Sequence, residues 1–157
     1  MDYKPFLIKV GQSGAYSDTM TYEDAFDTKE KYGLWIQHSP YYIQPSVKNA
    51  VTQTWNDEDG DDVYLSPNGV KFEAYEFTVD FVYFEKDNLA NTKIAEFVEK
   101  IKGKWLKVYD SYTQMCRTGV YFVSVEEATH FQRRGMHDTA IFTVTFKVNN
   151  PNFNDTF

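Results

Sequence analysis

FEAYEFTVDFVYFEKDNLANTKIAEFVEKIKGKWLKVY, residues 72–109, reads as strand, helix, strand. Tyr75, Phe77, Val79, Phe81 and Tyr83 alternate with Ala74, Glu76, Thr78, Asp80 and Val82, a period of two in aromatic and β-branched residues that predicts a long strand. After Asp87 and Asn88 the period changes. Ile94, Phe97, Val98 and Ile101 stand at i, i+3, i+4 and i+7, one apolar stripe of a helix over about residues 89–102. Asp87 or Asn88 is the expected N-cap, and Gly103 the left-handed residue beyond the end. Trp105, Leu106, Val108 and Tyr109 restart an extended run.

Outward from this stretch the pattern is mostly β. Phe6, Leu7, Ile8 and Val10 form a short apolar edge or arm strand. Gly11 to Lys31 is polar and turn-rich and reads as a loop, with a short helix near Tyr22–Lys29. So long a loop in a small domain points to a binding role, and Tyr16, Tyr22 and Phe26 within it are assigned to an interface. Leu34-Trp35-Ile36 is a strand, and Tyr41-Tyr42-Ile43 between Pro40 and Pro45 is edge strand or loop. Val47, Asn49, Val51, Gln53 and Trp55 alternate as another strand, ending in an acidic turn at Asn56–Asp62. Gly119–Glu126 alternates after a loop at Tyr112–Thr118, and Arg133-Arg134-Gly135 breaks the run. Ala140, Phe142, Val144, Phe146 and Val148 alternate again before Asn149-Asn150-Pro151. Residues 150–157 read as a frayed tail and 1–33 as an arm and loop region of one domain spanning 1–157.

One helix cannot bury its stripe alone, so it must lie across a sheet. The expected fold is α+β but mainly β: a two-sheet antiparallel sandwich or split barrel with one packed helix. Its expected core is Phe77, Val79, Phe81, Ile94, Phe97, Val98, Ile101, Phe142, Val144 and Phe146. An aromatic content of 18% suits such faces.

Charge and motifs narrow the function. The net charge is −7, and residues 1–78 hold all of it, with 6 Lys and Arg against 13 Asp and Glu. That excess argues against wrapping nucleic-acid phosphates. No apolar run could span a bilayer. The first residues, Met1-Asp2-Tyr3-Lys4-Pro5, lack the pattern of a secretory signal, so a cytosolic protein is expected. With a single Cys116, no internal disulfide or cysteine-built zinc site forms. Asp57, Glu58, Asp59, Asp61 and Asp62 suggest a calcium loop, with Asp57, Asp59 and Asp61 as weak metal candidates. The spacing fails the EF-hand template, which needs Gly where Asp62 stands and Glu where Asn68 stands, so a solvated turn is the better reading. His38, His130 and His137 are isolated, and nothing orients Cys116 with His130 as nucleophile and base. Lys93, Lys100, Lys102, Lys104 and Lys107 interleave with Glu96 and Glu99 as a solvated helix face. No catalytic residue, no cofactor and no enzymatic activity are expected.

The acidic turn from Trp55 to Asp62, the aromatic strand to Tyr83, the helix Ile94–Lys102, the run Trp105–Asp110 and the closing Thr143-Val144-Thr145-Phe146-Lys147-Val148-Asn149-Asn150-Pro151 together resemble a phage tail component. The pattern is similar to proteins of Bacteroides-type phages and prophages and, more loosely, to the N-terminal domain of siphophage distal tail proteins. Unlike the longer distal tail proteins, the chain is expected to carry no second, galectin-like domain. The resemblance implies a sandwich or split barrel with one helix, a non-enzymatic subunit, a hexameric ring around a channel, and other tail proteins as partners. It also implies a place in the virion tail, and in the host cytoplasm before assembly. Asp57, Glu58, Asp59, Asp61 and Asp62 would then line an interface or the channel, where carboxylates repel the phosphates of passing DNA and salt eases ring closure. The alternative is a monomeric ligand- or carbohydrate-binding β-sandwich that stacks exposed Tyr and Trp on its ligand.

Overall fold

The structure is a computed structural model that describes residues 3–41, 45–48, 50–132, 137–149, 151 and 156–157. In chain order the elements are β1 (Phe6–Val10), β2 (Phe26–Asp27), α1 (Thr28–Tyr32), β3 (Leu34–His38), β4 (Val51–Thr54), β5 (Asp61–Tyr64), β6 (Tyr75–Glu85), α2 (Ala90–Ile101), β7 (Leu106–Asp110), β8 (Met115–Gln132) and β9 (Asp138–Val148).

The period-two segments pair as one seven-stranded antiparallel sheet in the order β2-β1-β7-β8-β9-β6-β3. Its centre is the ladder of β6 on β9, where Phe77, Val79 and Phe81 stand opposite Phe146, Val144 and Phe142. Opposed residues share a face, and these rings stack at 5.3 Å (Phe77–Phe146) and 5.6 Å (Phe81–Phe142).

The sheet curls into a half-barrel. β1 and β6 are four steps apart in strand order, about 19 Å in a flat sheet. Yet the Phe6 and Phe81 rings meet edge to face at 5.9 Å. The chain enforces the curl locally, because β2 at one edge and β3 at the other are joined by α1 alone. That five-residue helix spans only about 8 Å. Asp27 caps it through Lys29 N–H at 2.9 Å, and Gly33, at φ 70°, ends it in the left-handed region that favours glycine.

Helix α2 lies in the open side of the half-barrel. Phe97 is fully buried, 5.2 Å from the Phe81 ring and 5.5 Å from the Tyr32 ring. Ile101 is buried beside it, and Ile94 and Val98 are half-buried against the same cluster as Phe77, Val79, Phe81, Phe142, Val144 and Phe146. The architecture is thus the expected mainly-β one with a packed helix, the main sheet a half-barrel and the second sheet a small hairpin, β4 on β5.

Several details differ from the sequence reading. The N-cap position of α2 is Leu89 and not Asp87 or Asn88, and it makes no side-chain cap hydrogen bond. Asp87 instead accepts from Leu89 N–H and from the Tyr83 hydroxyl, which holds its carboxyl below the usual range. The first helical amide, Ala90 N–H, donates to buried Asp138 on β9 at 3.0 Å, a cap 48 residues away in sequence. Gly103, at φ 69°, ends α2 as expected. Strand β8 starts at Met115, inside the expected loop, and outruns Glu126, because bulges between Phe122 and Ser124 and between Glu126 and Thr129 break its alternation without ending its pairing. Of the described residues of 47–55, only Val51–Thr54 are strand, with an isolated bridge from Val47 to Phe72, and Asn49 lies outside the described residues. Of the expected frayed tail, residues 150 and 152–155 lie outside the described residues, and the Phe157 ring lies tilted 5.4 Å from Tyr109 and under the Lys9 ammonium. The readings of residues 42–43 and 133–135 fall outside the described residues.

Phe97→Ala removes a fully buried ring packed on Phe81 of β6 and Tyr32 of α1, and should lower unfolding free energy in urea by about 3–5 kcal/mol. A loss under about 1 kcal/mol would show that the stripe is not buried in solution. Asp138→Ala should cost about 1–2 kcal/mol by orphaning Ala90 N–H, and should open the α2 amides first in hydrogen exchange.

Candidate functional site

The residues that carry reaction chemistry are kept apart. Cys116 and His130 both lie on β8, 14 positions apart, roughly 45 Å along an extended strand. Cys116 is buried, and His130 bonds Asp138 at 2.5 Å. Among the described residues, no group of three or more His, Cys, Asp or Glu could hold a metal ion. Buried Arg117 donates to the Pro40 carbonyl at 2.9 Å and lies 4.4 Å above the Phe77 ring, tying the chain after β3 to the end of the half-barrel. Three places on the described surface stand out.

The first is the β4–β5 hairpin. Its base is the Val47–Phe72 bridge, flanked by Lys48 N–H to Lys71 O and Glu73 N–H to Ser46 O, both 2.8 Å. Beyond it every residue from 50 to 71 is exposed. The sequence-predicted acidic residues are at its tip. Asp61 accepts from the Thr54 hydroxyl at 2.6 Å and Asp62 from Trp55 Nε1 at 3.0 Å, so two of the five carboxylates fasten the hairpin across its own strands. Asp57, Glu58 and Asp59 project from the turn. Val51, Trp55, Val63, Tyr64 and Leu65 are exposed along the arm.

The second is the outer face of α2 with the turn that follows it. Lys31, Lys93, Lys100 and Lys104, with Glu96 and Glu99, line a shallow groove of about 560 Å³. Lys100 pairs with Glu23, whose carboxyl is held below its ordinary value by that bond and by the charge behind it.

The third is a cavity of about 710 Å³ at the β3 edge, lined by Tyr3, Trp35, Tyr112, Gln37, His38 and Asp110 among others. The Tyr3 and Trp35 rings meet at 5.5 Å, and the Lys29 ammonium lies over both. Burial and the bond to Asp27 raise the Tyr3 phenol well above its usual range. Sequence reading passed over this site, since its residues come from separated segments.

Tyr16, Tyr22 and Phe26, assigned to an interface from sequence, have partners within the chain. Tyr16 meets Trp105 edge-on at 5.2 Å, Phe26 meets Tyr32 at 5.6 Å, and the Lys107 ammonium lies 5.4 Å from the Tyr22 ring. The 11–23 loop is stitched to Trp105, which accepts from Gly11 N–H at 2.7 Å, donates its own N–H to Gln12 O at 3.0 Å and its indole N–H to Gly14 O at 2.7 Å.

No family model matches the chain. No curated protein matches it by sequence. Among solved structures it is similar to phage SPP1 Dit (gp 19.1), described as a paradigm of hub adsorption apparatus in Gram-positive-infecting phages. The fold resembles that of a phage Dit protein. The likeness covers 93% of this chain at a TM-score of 0.52 and 15% identity. It covers 50% of the Dit chain, so this chain spans about half the length of that protein. At that identity the likeness is one of fold, and it agrees at that level with the resemblance to phage tail components.

Trp105→Ala should free the 11–23 loop without unfolding the sheet. Limited proteolysis should then cut within 11–23 at least about tenfold faster than in the parent, with circular dichroism unchanged.

Proposed function

We propose that the chain is a non-enzymatic structural subunit of a phage tail, a hub or adaptor that self-associates into a ring around a channel. The observation that carries this reading is the likeness of fold to the SPP1 Dit hub protein over nearly the whole chain. The surfaces support it. The arm of residues 50–71 is exposed on both faces, and a two-stranded hairpin alone in water is marginal, so a second protein surface is its natural complement. Six copies, other tail proteins as neighbours, a place in the virion tail after a cytoplasmic stage, and an origin in a Bacteroides-type phage or prophage belong to the same proposal. So does the treatment of residues 1–157 as one domain. In the ring, Asp57, Glu58, Asp59, Asp61 and Asp62 belong at an interface or on the channel, and Tyr16, Tyr22 and Phe26 hold the N-terminal loop on which a neighbour rests.

The cavity lined by Tyr3, Trp35 and Tyr112 favours one other reading, a monomeric ligand- or carbohydrate-binding module. It ranks second because the Lys29 ammonium already covers the Trp35 ring on which a sugar would stack.

Sedimentation velocity over about 1 µM to 1 mM separates the two. The tail reading expects a concentration-dependent oligomer, six-fold by resemblance. A monomer throughout, together with glycan binding lost in Trp35→Ala, would replace it with the second.

A further inference from the structure

We propose that buried Arg117 binds a carboxylate that enters through the cavity at the β3 edge, carried by a ligand with an apolar or aromatic body. The proposal stands apart from ring formation and does not depend on it.

Arg117 is 1% exposed, so its charge has left water almost completely. A guanidinium stays charged in a folded protein and presents five N–H donors. Its Nη2 has acceptors, the Pro40 carbonyl at 2.9 Å and the weakly accepting Met115 Sδ at 3.6 Å. Nε and Nη1 have no acceptor among the described residues. Arg117 also makes no ion pair among them. Asp110, the acid that lines the cavity, directs its two oxygens elsewhere, to the Tyr112 N–H at 2.9 Å and the Thr113 hydroxyl at 3.0 Å. The Phe77 ring, 4.4 Å away, attracts one face of the guanidinium. That attraction is weaker than the cost of a desolvated, unpaired charge. A buried cation with idle donors has the chemistry of an anion receptor.

Ser39 marks the route. It lines the cavity of about 710 Å³, and its hydroxyl is buried with no partner among the described residues. Pro40, the next residue, is the one whose carbonyl rests on Arg117. An incoming carboxylate meets the Ser39 hydroxyl and then replaces the Pro40 carbonyl on Nη2. It holds the guanidinium by two parallel N–H···O bonds, which a single carbonyl oxygen cannot do. Charge selects the ligand. One negative charge neutralises one guanidinium, whereas a phosphate dianion would bring a surplus charge into the same apolar surroundings. Lys4 also lines the cavity, but it is exposed and its charge stays hydrated. Trp35, Ile36 and Tyr112 line the approach, so an apolar or aromatic body suits the rest of the ligand. Two sources carry that chemistry, a free small acid and the carboxyl end of a peptide.

Thermal unfolding and titration calorimetry on the whole chain test this. The probes are N-acetyltyrosine, its uncharged amide, phenylacetate, chloride and phosphate at matched ionic strength. N-acetyltyrosine should raise the unfolding midpoint saturably and bind at least about tenfold more tightly than its amide. Arg117→Met replaces the unpaired charge with an apolar chain, so without ligand it should be at least as stable as the parent. It should bind the acid about tenfold or more weakly. The Arg117 Nε–H proton resonance of the unaltered chain should move with the acid and not with the amide, which decides the matter should Arg117→Met fail to fold. Phenylacetate binding as tightly as N-acetyltyrosine assigns a free acid, and N-acetyltyrosine binding about tenfold more tightly assigns a peptide end. Equal binding of acid and amide, equal binding by parent and Arg117→Met, or no effect of either acid up to about 0.1 M overturns the site. Chloride acting as the acids do shows an adventitious ion only and overturns it as well. Phosphate binding more tightly than either acid overturns the match to a single charge, and with it the carboxylate.

Discussion

A sheet with one apolar face must cover that face, and this chain has one helix of twelve residues with which to do it. The helix is too narrow to cover seven strands, so the sheet covers part of its own face by curling. The Phe6, Phe81, Phe97 and Phe142 rings mark where the two halves and the helix converge. Everything else follows from that convergence. The curl brings β2 and β3 close enough for α1 to join them, and it leaves an opening that α2 fills. Asp138, inside the structure at the end of β9, holds the first amide of α2 so that Phe97 enters at the right height. Volume at this point is shared among four rings, so a change in any one is felt by the sheet's curvature as well as by the helix.

The elements that were legible in the sequence are those whose burial is one-sided and uninterrupted. β6 and β9 alternate over eleven residues each and are buried on alternate positions, so period two marked both. α2 declared itself by its stripe. β8 did not show its full length, because each bulge shifts the phase of alternation by a residue while the ladder continues. β5 was read as turn because Asp61 and Asp62 have poor strand propensity, and their stability in a strand comes from cross-strand bonds to Thr54 and Trp55 that only pairing creates. The Asp138 cap was invisible for another reason. A local cap is written within three or four residues of the helix start, and this one comes from the far end of the fold.

The candidate surfaces were legible in part. The acid of residues 57–62 and the lysines of 93–107 both stand out as charge runs, and each alone reads as a solvated face. The structure adds that one is at the end of a projecting arm and the other borders a groove, two shapes that charge alone does not reveal. In the opposite direction, Tyr16, Tyr22 and Phe26 looked unplaced only because their partners, Trp105, Lys107 and Tyr32, are distant or of unexpected type.

The contrast between arm and body bears on how such a subunit could assemble. The half-barrel is stiff, since its core is a continuous set of packed rings and β ladders. Among the described residues the hairpin joins it through one isolated bridge and two backbone hydrogen bonds. A ring built from rigid faces alone closes only if every angle is correct, and small errors accumulate from copy to copy into an open helix. In the ring proposed above, contacts made through a compliant arm would absorb those errors at the hinge, while the tip keeps its geometry because Asp61 and Asp62 fasten it from within.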